Sequence, residues 1–176
     1  MTIRNYQGKT AKIAKSVYVD ESAIVIGDVT IGEDSSLWPM VVARGDVHSI
    51  TIGARTNIQD GCILHVTHDG EYSPGGFPLV VGNDVTVGHR VTLHACTIGD
   101  YCLIGMSATI MDGAVLQDKV MLGAGSLVLS GKKLETGYLY MGSPVKKVRF
   151  LTDEELAYLE YSAGHYVKMK NLHMEK

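Results

Sequence analysis

Apolar residues recur at every sixth position along most of the chain. The series shifts once before Ile52, is interrupted between residues 64 and 81, and takes one shortened step before Ile98. A helix would repeat apolar residues with a period of 3.6, and an isolated amphipathic strand would only alternate. The pattern therefore predicts many short strands separated by regular turns. The positions in register are Ile13, Val19, Val25, Ile31, Leu37, Ala43, Ile52, Ile58, Leu64, Val81, Val87, Leu93, Ile98, Ile104, Ile110, Leu116, Leu122 and Val128.

Two further positions of the six-residue unit have a restricted composition. The residue after the anchor is often glycine, as at Gly53, Gly88 and Gly105, which we interpret as a turn that needs an unusual φ. The fourth residue after the anchor is small or β-branched, and Cys62 and Cys102 occupy this position. Anchors and small residues are expected to point inward. Three units would close a triangular coil, and stacked coils would form a parallel β-helix, in which Cys96 alone among the cysteines has no place in the register.

The pattern ends before the C-terminus, where a helix is predicted. We expect a hexapeptide-repeat domain over residues 1–150, with a loop at 67–80 and an exit segment at 130–150. Residues 151–176 would form a helix packed on its outside, within one structural domain. Thr152 is a suitable N-cap, and Glu155 completes a capping box.

Three histidines occupy matching places in this register. His65 follows anchor Leu64 and His94 follows anchor Leu93. If the 67–80 loop leaves the coil and the chain re-enters it on the next face, Leu64 and Leu93 stack on the same face. The two histidines then point outward together, about 4.8 Å apart. Two imidazoles at that spacing can share one metal ion. His89 lies on the preceding face, so it should reach such a site only from another subunit, which predicts a homotrimer with three metal sites at its interfaces.

A lone histidine on a turn is usually a solvated residue, but three outward histidines in register favour a metal site. Three imidazoles with an open position suit Zn²⁺. Fe²⁺ or Co²⁺ would also accept these ligands.

The chain also resembles a known family. The segments Arg44-Gly45-Asp46 and Asn57-Ile58-Gln59-Asp60, together with His65 and Gly88-His89-x4-His94, are similar to the motifs of the γ-class carbonic anhydrase-like proteins. The resemblance implies an all-β left-handed parallel β-helix with a C-terminal α-helix, an exception to the usual right-handed crossover. It also implies that a metal-bound hydroxide hydrates CO2 to bicarbonate at trimer interfaces.

The resemblance assigns roles to several residues. His65 and His94 would bind the metal from one chain and His89 from the next. Gln59 would hydrogen-bond the hydroxide or the substrate, and Asp60 would orient a histidine or pair with Arg44. Arg44 and Asp46 would form a cross-subunit ion pair.

The sequence departs from the family at the expected proton shuttle. Val47 replaces an acid after Asp46, and His68 stands where a carboxylate is expected. His68 is a candidate shuttle because a histidine titrates near neutral pH. An ordinary loop residue is the alternative, and CO2 hydration is then slow or absent.

Composition narrows the partners. The 176 residues carry a net charge of −3, without the clustered basic residues that nucleic-acid binding requires. The N-terminus lacks a signal-peptide pattern, and no apolar run is long enough to span a bilayer. Three irregularly spaced cysteines favour a reducing cytoplasm.

Other functions remain open at this point. A hexapeptide acyltransferase would need a coenzyme A groove, for which Lys132, Lys133, Lys146, Lys147 and Arg149 are candidate phosphate contacts. A metal-dependent thioesterase and a non-catalytic metal-binding scaffold trimer are further alternatives, and the fold does not decide among them.

Overall fold

The computed structural model describes residues 2–175. Met1 and Lys176, the outer bounds of the predicted domain and helix, lie outside the described residues. It contains short strands and one helix, α1 (Asp153–Met174). The strands in chain order are β1 (Thr2–Arg4), β2 (Lys12–Ile13), β3 (Tyr18–Val19), β4 (Ile24–Ile31), β5 (Ser36–Leu37), β6 (Val42–Ile52), β7 (Asn57–Ile58), β8 (Ile63–His65), β9 (Leu79–Val81), β10 (Thr86–Val87), β11 (Thr92–His94), β12 (Thr97–Ile98), β13 (Leu103–Ile104), β14 (Thr109–Ile110), β15 (Val115–Leu116), β16 (Met121–Leu122), β17 (Leu127–Val128), β18 (Lys133–Leu134), β19 (Tyr138–Met141) and β20 (Lys146–Phe150).

The strands stack into three parallel faces. The first face runs in the order β3-β5-β7-β10-β13-β16-β19, and β20 adds antiparallel to β19. The long strands β4 and β6 each turn a corner, so they belong to both remaining faces. The second face continues through β8, β11, β14 and β17, and the third through β9, β12, β15 and β18. The predicted fold class, a parallel β-helix of hexapeptide repeats with a C-terminal helix, is confirmed.

The six-residue register also holds in three dimensions. Leu64 pairs with Leu93, and Leu93 pairs with Ile110, so the anchors of successive coils lie directly over one another. All the anchors except the half-buried Ile13 and Val19 are buried. Burial of this apolar column along the axis is the main favourable contribution to folding.

The structure corrects the interpretation of the glycines after the anchors. Gly53, Gly88 and Gly105 do not have a positive φ. A Cβ on Gly105 would instead lie 2.4 Å from the backbone nitrogen of Ala124 in the next coil. These glycines are needed because successive coils approach closely. The left-handed residues lie two positions further on, at residues such as Ser107 (φ 60) and Lys119 (φ 57), most of which are not glycine.

The three cysteines are free and buried in the core. Burial raises the pKa of Cys62 to about 11 and that of Cys102 to about 12, so both thiols stay protonated. Cys96 occupies the same core position when counted backward, two residues before the anchor Ile98. Forward counting missed it because this coil is one residue shorter than the others.

Helix α1 packs along the outside of the first face, against β3, β5, β7 and β10. The predicted capping box is present between Thr152 and Glu155. At the far end of the helix, His173 packs edge-on against Trp38, with ring centroids 5.1 Å apart. Lys170 is almost fully buried, and its Nζ lies 3.0 Å from Asp34 Oδ1. Within residues 2–175, no helix combines the length and apolar character needed to cross a membrane.

Candidate metal centre

Two histidines meet on the second face of the β-helix. Strands β8 and β11 pair in parallel, with His65 opposite His94. Because Leu64 and Leu93 point into the core, the alternation of a strand sends both imidazoles outward. His65 Nδ1 and His94 Nε2 lie 3.1 Å apart. The structure therefore brings together the pair that the register predicted.

Each of these histidines contacts a carboxylate through its other ring nitrogen. His65 Nε2 lies 3.1 Å from Asp46 Oδ1, and His94 Nδ1 lies 2.6 Å from Asp112 Oδ1. A carboxylate accepts a hydrogen bond, so we assign the proton of each neutral ring to the nitrogen facing the carboxylate. The two nitrogens that face one another then both carry lone pairs, an arrangement that a cation between them would stabilise.

The electrostatics around His65 favour its neutral imidazole form. Burial lowers the pKa of His65, and the hydrogen bond with Asp46 offsets this only in part. Burial alone would raise the pKa of Asp46, but hydrogen bonds with Arg44 and His65 outweigh it and hold that pKa below its usual value. Near pH 7, a neutral histidine therefore faces an ionised aspartate, which is the state needed for metal ligation.

His89 lies at a different corner of the coil. It follows β10 by two residues, and its Nδ1 lies 2.9 Å from Asp60 Oδ2. Asp60 thus contacts a histidine, and the two roles expected for it stay predictions. The same assignment of protons leaves His89 Nε2 free, and both side chains are nearly half exposed. Among residues 2–175, no group of three or more His, Cys, Asp or Glu side chains is arranged to hold a metal ion.

The remaining candidate residues occupy distinct places. Arg44 Nη1 contacts Asp46 within the chain, since residues two apart on β6 share one side of the strand. The expected cross-subunit pair between them stays a prediction. Gln59 is buried, and its amide nitrogen donates to Asn57 Oδ1 at 3.1 Å. His68 is exposed in the loop after β8.

Sequence reasoning missed Asp112 and Thr67. Asp112 Oδ2 accepts a hydrogen bond from the Thr67 hydroxyl, while its Oδ1 contacts His94. Burial alone would raise the pKa of Asp112, but the hydrogen bonds from Thr67 and His94 lower it below its usual value. A sequence signal was present, because the anchor Ile110 stacks on Leu93 and places Asp112 one coil beyond His94.

An open cavity of about 290 Å³ lies between part of α1 and the first face, beside His89. Gln59 and His89 line one side, and Tyr158, Ser162 and Tyr166 of the helix line the other. Ser162 Oγ also lies 2.9 Å from Thr86 Oγ1, which ties the helix to β10. The cavity thus offers amide and hydroxyl groups next to a candidate ligand. No sequence signal singled out these three helix residues.

The three histidines are a suitable ligand set for a zinc ion, but they lie on two separate surfaces of the chain. Three imidazoles, each in contact with a carboxylate, are the ligands and supporting partners typical of zinc sites. Two imidazole nitrogens bound to one tetrahedral zinc would be about 3.3 Å apart. The observed 3.1 Å between His65 Nδ1 and His94 Nε2 is close to that separation.

Comparison with known proteins defines the family. No family model matches the chain. The chain is 55% identical to Protein YrdA of Escherichia coli, over 99% of this chain and 95% of that protein. It is 40% identical to a probable carbonic anhydrase of Methanocaldococcus jannaschii, over 89% of this chain and 94% of that protein. It is 42% identical to the mitochondrial gamma carbonic anhydrase 2 of Arabidopsis thaliana, over 98% of this chain but 62% of that protein.

A solved structure has the same architecture. The putative acetyltransferase of Bacillus cereus superposes with a TM-score of 0.91 at 41% identity, covering 98% of this chain and 96% of that one. With the relatives above, this places the chain in a defined class, the hexapeptide-repeat β-helix proteins. Within that class, the chain belongs to the γ-class carbonic anhydrase-like family, as its motifs indicated.

Proposed function

We propose that this chain is a metal-dependent, γ-carbonic anhydrase-like enzyme that hydrates CO2 to bicarbonate at the interfaces of a homotrimer. The observation that carries the proposal is the His65–His94 pair, whose Nδ1 and Nε2 atoms lie 3.1 Å apart while Asp46 and Asp112 contact the other nitrogen of each ring. The family relationship supports the same chemistry.

The residues have separate roles in this proposal. His65 and His94 of one subunit and His89 of the next would hold Zn²⁺, with Fe²⁺ or Co²⁺ as alternatives. When bound, the metal supplies an activated water at neutral pH. Asp46 and Asp60 fix the tautomers of their histidines. Gln59 presents its amide to the small-molecule substrate.

The trimer follows from the split of the histidines. His89 lies on Asp60 at one corner, whereas His65 and His94 share the second face. A neighbouring subunit can supply the missing third imidazole without rearranging either coil. The free, buried cysteines support a reducing cytoplasm as the location.

Metal content and CO2 hydration, measured on the same samples, test the proposal. Protein purified without chelators or a polyhistidine tag should contain about one zinc or iron per chain, with one open coordination position per site. His94→Ala should lose both the metal and the catalysed rate. His165→Ala, which removes an exposed helix histidine, should retain both.

Three other outcomes are distinct. Metal binding without CO2 hydration would contradict the carbonic anhydrase activity and favour thioester hydrolysis or a scaffold role. Metal-dependent assembly without any turnover would select the scaffold. Wild-type protein that binds no metal, even after zinc is added, would overturn the central claim.

Acyl transfer is the second candidate, because the B. cereus relative is called a putative acetyltransferase. The basic residues near the exit segment are partly neutralised. Lys147 Nζ contacts Glu135 at 2.7 Å, and Arg149 pairs with Glu155 through two hydrogen bonds. Lys132 borders a small apolar cavity with Leu129. Tight binding of coenzyme A by the metal-free protein, measured by calorimetry, would favour this function.

A further inference from the structure

Two aspartates occupy equivalent positions in one coil. Asp112 follows the anchor Ile110 by two residues, and Asp118 follows the anchor Leu116 by two residues. The register therefore presents two carboxylates with the same place in their repeat units but at different corners. The hydrogen-bond partners of Asp118 show what an acid at this position ordinarily binds, and the partners of Asp112 differ from them.

At the corner of Asp118, the side chains brace the backbone of the preceding coil. Asp118 Oδ1 accepts the backbone N–H of Asp100 at 2.9 Å. Asp100 Oδ1 in turn accepts the N–H of Asn83 at 2.7 Å, and Asn83 Oδ1 accepts that of Ala54 at 2.9 Å. An acidic or amide side chain at this position thus ordinarily satisfies a backbone donor between coils.

Asp112 has different partners. Its Oδ1 lies 2.6 Å from His94 Nδ1 in the preceding coil. Its Oδ2 accepts from the hydroxyl of Thr67, at the base of the loop that interrupts the repeat. Thr67 is itself held by backbone hydrogen bonds in both directions with Phe77, at 3.0 and 3.1 Å. Both oxygens therefore bind side chains, one of which is a candidate metal ligand.

We propose that Asp112 is a positioning residue that, with Thr67, fixes the ring of His94 so that Nε2 faces the metal position. This inference rests on the proposed function. Thr67 holds Oδ2, which leaves Oδ1 aimed at Nδ1 of His94. The carboxylate accepts a hydrogen bond from Nδ1–H and so favours the tautomer in which Nε2 carries no proton. The Thr67 hydroxyl also connects the base of the loop at 67–80 to Asp112.

The expected effect is on metal affinity more than on folding. Asp112→Asn keeps the shape but loses the charge, and its zinc affinity should fall about 10- to 100-fold, the range typical of such supporting partners. Thr67→Val removes the hydroxyl and should weaken zinc binding by roughly threefold to tenfold. Thr67→Ser retains the hydroxyl and should match the wild type. Asp118→Asn is the matched control, because Asn still accepts the backbone N–H of Asp100.

The experiment is zinc competition against a chromophoric chelator, with thermal melting of the same metal-free proteins. Weaker binding by Asp112→Asn, with Asp118→Asn at the wild-type value, supports the inference. Equal zinc affinity in Asp112→Asn and the wild type overturns it and leaves the proposed function intact. Wild-type protein without zinc affinity overturns both.

A second variant pair keeps the inference testable if Asp112→Asn also lowers the melting temperature of the metal-free protein. Weaker zinc binding by Thr67→Val than by Thr67→Ser then supports it. Equal binding by these two variants overturns it. The visible spectrum of the Co²⁺-loaded protein gives an independent readout, since a change in the orientation of His94 alters the ligand field while a general loss of stability does not.

Discussion

At the residue scale, a single position of the repeat does several kinds of work. Two residues after an anchor, Asp118 accepts a hydrogen bond from a neighbouring backbone, Asp60 contacts His89, and Asp112 contacts His94. Neighbouring coils are about 4.8 Å apart, so a short carboxylate reaches an adjacent coil. An acid at this place can therefore contact either a backbone N–H or a histidine ring of an adjacent coil.

His68 provides a prediction on proton transfer. His68→Ala should lower kcat for CO2 hydration by roughly tenfold or more in weak buffer, because general acid–base groups contribute at least that much. Its kcat/KM should change little, since proton release follows the hydration step. Stopped-flow assays with and without added imidazole measure this, and Glu71→Gln in the same loop is the control. Unchanged kcat in weak buffer would assign His68 to the ordinary loop residues.

Gly105 provides a prediction on packing between coils. Gly105→Ala should lower the free energy of unfolding by roughly 1–3 kcal/mol, because the added Cβ meets backbone of the next coil at 2.4–2.6 Å and the coils must separate. Gly164→Ala is the contrast, since a Cβ there meets nothing within 4 Å. That helix substitution should raise stability by about 0.5–1 kcal/mol. Denaturant titration compares the two, and equal effects would contradict the close-approach explanation.

At the residue scale, the sequence predicts some contacts of the candidate site but not others. Counting in sixes was enough to place His65 beside His94, because register alone decides which residues of adjacent coils pair. The same counting did not assign Asp112 to His94. Whether a carboxylate binds a backbone donor or a ring nitrogen depends on the competing groups around it, here Thr67 across the loop. The prediction that glycines after the anchors need an unusual φ was wrong for a related reason. The close approach of neighbouring coils that requires them cannot be read from the sequence of a single repeat.

At the element scale, α1 is fastened at both ends. Glu155 joins its first turn to β20 through two 2.7 Å hydrogen bonds from Arg149, and it also accepts from the Thr152 backbone. The last turns are held by His173 on Trp38 and by the buried Lys170. Capping chemistry made the start of the helix predictable from sequence. The contacts of its last turns depend on where the first face lies, which no local pattern reveals.

The first of these fastenings predicts a pH dependence. Hydrogen bonds from Arg149 and from the Thr152 backbone lower the pKa of Glu155 from 4.5 to about 2. Its folded pKa is depressed, so its stabilisation is present above pH 4.5 and is lost as the pH falls towards 2. Urea midpoints of the wild type and Glu155→Gln should differ at pH 7 and converge near pH 2. Glu160→Gln, on the exposed side of the helix, should track the wild type, and a constant difference for Glu155→Gln would contradict the prediction.

At the scale of the whole molecule, the candidate ligands are separated by the geometry of the coil. His65 and His94 share one face, and His89 lies at another corner. A stacked coil cannot fold back on itself to join them, because its strands are held in register on both sides. A site with all three histidines would therefore require a second copy of the chain.

Mixed trimers test this separation. A double variant, His65→Ala with His94→Ala, and a single variant, His89→Ala, should each bind no metal. Co-expressed in equal amounts, every mixed trimer would have one intact interface of three, so the mixed trimers should hold about one third of the wild-type metal content. Elemental analysis of differently tagged, co-purified trimers measures this. No metal in the mixed trimers would contradict a site shared between subunits.

Because coils stack one on another, the length of the solenoid can change without changing the residues of the candidate site. Each coil adds about 4.8 Å along the axis and pairs only with the coils above and below it. The histidine pair and its two aspartates lie on neighbouring coils between β6 and the turn after β14. Duplicating an 18-residue coil nearer the N-terminal end would lengthen the solenoid without disturbing these contacts. Such a scaffold allows the length of the solenoid and the chemistry of the candidate site to evolve independently.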